Sequence, residues 1–96
     1  MSKAKAIGSI KLICETCAKE HLLKGDQFNF KYDHSVVKGT DAENIYVADH
    51  AFNCDCNAII QIYININEYP AKTLSCDPHY YTPGSKRQGE FEINIY

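Results

Sequence analysis

The stretch from Ala58 to Tyr69 reads AIIQIYININEY, and its strict alternation limits the open folds more than any other feature. Ile60, Ile62, Ile64 and Ile66 alternate with Gln61, Tyr63, Asn65 and Asn67, so an extended backbone buries one row and wets the other. Other segments repeat the pattern. Ile10, Leu12 and Cys14 share a face in SIKLIC, as do Phe28, Phe30 and Tyr32 in QFNFKYD. In NIYVADHAF, Ile45 and Val47 oppose Tyr46, Ala48 and His50, and in GEFEINIY Phe91, Ile93 and Ile95 alternate with polar residues. Period-two patterns rich in β-branched and aromatic residues predict an all-β fold of about five strands, mainly antiparallel. Only Ala18–Lys24 reads as a helix, barely two turns long before Gly25. Turn residues stand at Gly25-Asp26, Gly39-Thr40-Asp41 and Pro83-Gly84, and Pro70 closes the isoleucine strand. Residues 71–89 carry no period and read as one long loop within a single domain spanning 1–96.

A chain this small gains from a staple. Its apolar content of 45% is that of a folded domain, and no apolar run reaches the roughly 18–20 residues that cross a bilayer. The N-terminal stretch lacks the apolar region and cleavage site of a signal peptide, so a cytoplasmic location without membrane attachment is expected. Thiols stay reduced there, and five cysteines point to a metal or to catalysis rather than to disulfides. Four of them form two pairs, Cys14-Glu-Thr-Cys17 after one predicted strand and Cys54-Asp-Cys56 before another. Two turns offering two thiolates each make a tetrahedral cage suited to Zn²⁺, whose binding would contribute folding free energy directly.

Over residues 10–68 this arrangement resembles a zinc ribbon, in which knuckles from two hairpins clamp one ion. FNCDCNAIIQIYININEYP is also similar to the cysteine turn, isoleucine strand and Glu-Tyr-Pro ending of small bacterial or phage zinc-ribbon proteins without an assigned activity. The resemblance implies a structural zinc on Cys14, Cys17, Cys54 and Cys56. The chain departs from it in its second pair, which has one intervening residue instead of two, and in Asn57, which stands where glycine is usual. Asn tolerates the left-handed backbone that such a turn needs. Cys76-Asp-Pro-His79 has a legitimate ligand spacing and is a possible additional metal pair, whereas His21 and His50 read as structural.

The same residues admit rival functions. A thioredoxin-like site would begin with strand, Cys14-x-x-Cys17 and helix, but the available helix is too short and Cys54 and Cys56 are left without a purpose. An HNH-like nuclease would use Asp33-His34 and Asn44 between the cysteine pairs, yet it needs a helix after Cys56, where the isoleucine strand stands. A nucleic-acid-binding ribbon would stack bases on Tyr63, Tyr80, Tyr81 or Tyr96, but the net charge is −2, residues 25–70 are acidic, and Lys86-Arg87 is the one basic pair outside the N-terminal segment. The expected role is therefore non-catalytic, as a protein-protein interaction module (adaptor, regulator or inhibitor). Its possible interface comprises Tyr63, Asn65, Asn67, Tyr80 and Tyr81, and exposed edge strands make a homodimer possible.

Overall fold

The computed structural model describes residues 2–96. It is an elongated antiparallel β structure, 50 × 21 × 18 Å, with no α-helix among the described residues. Its strands are β1 (Ala4–Ile7), β2 (Ser9–Cys14), β3 (Glu20–Lys24), β4 (Lys31–Lys38), β5 (Asp41–Asn53), β6 (Ile59–Glu68), β7 (His79–Tyr81), β8 (Ser85–Gln88) and β9 (Glu92–Ile95). They form a four-stranded sheet ordered β4-β5-β6-β7, a three-stranded sheet ordered β3-β2-β8, and a β1-β9 ribbon.

The isoleucine row lies where its alternation requires. Ile60, Ile62, Ile64 and Ile66 are at most 1% exposed, and they stand opposite Phe52, His50, Ala48 and Tyr46 on β5. Ile10 and Leu12 of β2, Leu23 of β3, Phe28 and Phe91 join them in one core. The reverse face of β5 and β6 carries Asp49, Ala51, Gln61 and Tyr63, all exposed.

Three expectations need correction. The segment expected to be a short helix, Ala18–Lys24, supplies β3, which pairs with β2 so that Leu23 lies opposite Ile10 and His21 opposite Leu12. Glu20–Lys24 alternates as well as it coils, and burying Leu23 in the core decides between the two. Its helical content shrinks to the 3₁₀ turn Gly25–Gln27. The loop expected over 71–89 contains β7, which extends the larger sheet beyond β6, and β8, which pairs with β2 on the side away from β3. Residues Phe28–Phe30 precede β4 as irregular chain rather than forming part of it, and all eight residues of β4 are exposed.

The inward row of β6 continues past Ile66 to Glu68, which is 2% exposed. Among the described residues this carboxylate has no ion-pair partner. It instead accepts hydrogen bonds from Ser2 Oγ (2.6 Å), Tyr46 Oη (3.0 Å), Asn44 Nδ2 (3.2 Å) and the Lys72 backbone N–H (2.6 Å). Burial pushes the Glu68 carboxyl up, but the donors outweigh it and hold the group below its ordinary value. One side chain thus ties the N-terminal segment, β5 and the turn after β6 together.

Candidate metal centre

Both cysteine pairs lie in hairpin turns. The first turn joins β2 to β3 and the second joins β5 to β6. In the first, the Cys14 N–H donates to the Lys19 carbonyl and the Ala18 N–H donates to the Cys14 carbonyl. In the second, the Cys54 N–H donates to the Ala58 carbonyl and the Asn57 N–H to the Cys54 carbonyl. The second is the first shortened by one residue. In both, the residue after the second cysteine has a left-handed backbone: Ala18 at φ 64° and Asn57 at φ 71°. The irregular one-residue spacing of Cys54 and Cys56 is thus absorbed by a tighter turn of the same design.

Asn accepts that conformation readily, but for Ala it costs roughly 1 kcal/mol, because Cβ crowds the following carbonyl. Ala18→Gly is expected to raise the unfolding free energy by about 0.5–1 kcal/mol in denaturant titration, despite glycine's greater freedom in the unfolded chain. Gly84, at φ 85°, buttresses both turns. Its carbonyl accepts from the Glu15 N–H, and a Cβ there would stand 2.8 Å from the Ile59 carbonyl oxygen.

The four sulfurs meet. Cys14 Sγ is 3.7 Å from Cys56 Sγ, Cys17 Sγ is 3.5 Å from Cys54 Sγ, and all four lie within 4.8 Å of one another. A tetrahedron with metal–sulfur bonds of about 2.3 Å has edges of about 3.8 Å, so the spacing fits one ion. Cys14 and Cys54 are buried at the inner side, while Cys17 and Cys56 face outwards. The thiols also respond to one another. The Cys17 and Thr16 amides and the Cys56 thiol lower Cys14 to about 7 against the effect of burial. Cys17 is pushed up to about 12: the Lys19 amide favours its thiolate, but Cys54, burial and the other two sulfurs outweigh it. Four thiolates cannot share this volume without a cation between them. The donor set and its spacing make the quartet a candidate metal site.

Two side-chain contacts flank the quartet, one of them from a histidine that the sequence reading takes as structural rather than as a ligand. His21 Nε2 lies 3.3 Å from Cys54 Sγ, and its ring meets Phe52 edge-on at 4.9 Å between centroids. A ring N–H donated to a sulfur steadies a thiolate, a common role for groups just outside a metal's ligands. His21 lies four residues beyond Cys17, a spacing from which it could ligate, but it stands beside Cys54 and outside the group of four. Lys19 also pairs with Asp55, linking the first turn to the second. Each raises or lowers its partner towards the charged form, but both are well exposed and the pair contributes little.

The other expected site residues lie elsewhere. Cys76 and His79 are exposed and belong to no group of three or more metal-capable side chains among the described residues. Of the residues expected at an interface, Tyr63 and Tyr81 are cross-strand neighbours on the outer face. Asn65 and Asn67 follow along β6 but are half-buried. Tyr80 points to the opposite side: it is half-buried, pairs with Ile64, lies beneath the Arg87 guanidinium at 4.0 Å, and accepts the Phe91 N–H. Arg87 is therefore engaged within the chain, which leaves Lys86 alone of the basic pair. Asp33 and His34 are hydrogen-bonded to each other on β4. His34 stands opposite Ile45, nine residues before Cys54, roughly 30 Å at 3.3 Å per residue. The residues after Cys56 form β6 instead of a nuclease helix.

No described helix is long and apolar enough to cross a membrane. Compared with protein-family models, with curated proteins and with solved structures, the chain matches none.

Proposed function

We propose that the protein is a small zinc-stapled β module that works by binding another protein. Convergence of four thiols from two hairpin turns carries the zinc half of this reading. Sulfur-only tetrahedral sets favour zinc, and a site whose four ligands all come from the chain leaves no open position for a substrate. Such a site is structural, and its ion acts by locking β2-β3 to β5-β6. Beyond that quartet, the outer face of the larger sheet bears two exposed tyrosines on neighbouring strands, Tyr63 and Tyr81. Exposed tyrosines on a rigid sheet supply contact area at small entropic cost, which suits a protein interface. The test is affinity capture from the native cell with the wild type and with a Tyr63→Ala/Tyr81→Ala variant of unchanged thermal stability. A stoichiometric protein partner held by the wild type and lost by the variant is the expected result. Equal capture by both, or capture of nucleic acid alone, would overturn the reading.

A further inference from the structure

The outer face of the larger sheet is not uniform. Asp49 on β5 stands directly opposite Tyr63 on β6, and Tyr63 stands directly opposite Tyr81 on β7, so one carboxylate and two phenol rings form a row across three strands. Tyr81 is 67% exposed and Tyr63 is 38% exposed. At this row lies an open cleft of about 230 Å³, lined also by His50, Ala51, Gln61, Ile62 and Pro83. Asp49 is exposed and has no ion-pair partner among the described residues.

We infer that this cleft receives the guanidinium of an arginine on the partner protein. The inference rests on the interaction reading above and names the chemistry of the contact. Ring faces attract cations, and a guanidinium, being flat and weakly hydrated, stacks on a tyrosine more readily than an ammonium does. Its remaining N–H groups can pair with a carboxylate at the end of the row. The chain already uses this chemistry on the opposite side of β7, where Arg87 lies 4.0 Å over the Tyr80 ring. Tyr80 has its guanidinium, whereas its neighbour Tyr81 faces solvent. The charge at the cleft favours a cationic visitor, since Asp49 is the one carboxylate in its lining and no Lys or Arg among the described residues lines it.

The test pans a random peptide display library on the full chain and, separately, follows the Tyr63 and Tyr81 ring resonances during titration with Nα-acetyl-arginine amide. Enriched peptides are expected to share an arginine, and Asp49→Asn or Tyr81→Ala should each weaken them by about tenfold. Both positions are exposed, so the thermal transition of each variant should match the wild type. Peptides enriched without arginine, or bound as tightly by Asp49→Asn, would overturn the inference while leaving the interaction reading in place. No enrichment, with tyrosine rings unmoved by the arginine amide, would overturn it as well. If the wild type then also captured no cellular protein, the interaction reading would fail with it.

Discussion

Replacing Cys54 by serine is expected to abolish metal binding and to cost more stability than any other single change in the chain. Cys54 is 3% exposed, lies 3.5 Å from Cys17 Sγ, and takes the contact from His21. Serine leaves a hydroxyl that binds zinc poorly, in a volume where three thiols still crowd one another. Binding at structural zinc sites is worth on the order of 10 kcal/mol, comparable to the whole stability of a small domain. The outcome should be loss of a cooperative unfolding transition, or a melting temperature lowered by tens of degrees. Chelation of the wild type should reproduce it, whereas Cys76→Ser should change neither metal content nor stability. Hydrogen exchange would show where the damage begins: amides of Cys14–Ala18 and Cys54–Ala58 should lose protection first, because an ion held by the quartet would join the two turns directly. A Cys54→Ser protein that melts like the wild type would contradict the zinc staple.

At the other end of β6, Glu68→Gln is expected to destabilise the fold by about 2–4 kcal/mol at neutral pH. The carboxylate accepts four hydrogen bonds, two at each oxygen. An amide would supply one acceptor and turn an NH₂ group towards donors, leaving at least one buried N–H or O–H unpaired. The pH dependence has a definite sign. The folded carboxyl lies below its ordinary value of 4.5, so its stabilisation is complete above that value and is lost as pH falls through the lower folded one. Acid also strips metal from thiolates, but it does so in both proteins, so the difference between them isolates Glu68. In urea titrations from pH 7 to pH 3, the gap between wild type and variant should be constant down to about pH 5 and narrow below it. A gap that is absent at pH 7, or indifferent to pH, would sink this account of Glu68.

β6 therefore runs between two polar clamps, a thiol quartet beside its first residue and a saturated carboxylate at its last. Its hydrophobic row was legible in the sequence because one face is completely buried, which makes the alternation strict. The quartet was legible because cysteine is rarely placed in turns without chemistry to serve. Glu68 was also within reach, since it occupies the next inward position after Ile66; read as one more acidic surface residue, it was overlooked. The remaining elements give weaker signals for physical reasons. No residue of β4 is buried, so nothing imposes a pattern on it beyond its turn and its partner strand. Strands β7 and β8 are three and four residues long, below the length at which a period can be recognised, and depend on pairing with distant β6 and β2. Glu20–Lys24 is locally ambiguous, and the contact of Leu23 with the core settles it.

The metal content of the purified protein, measured together with its reactive thiols, tests the central claim most directly. The account predicts about one zinc per chain, with Cys76 reacting at once and the four remaining thiols protected until a chelator is added. A metal-free, folded protein whose five thiols react together would contradict it.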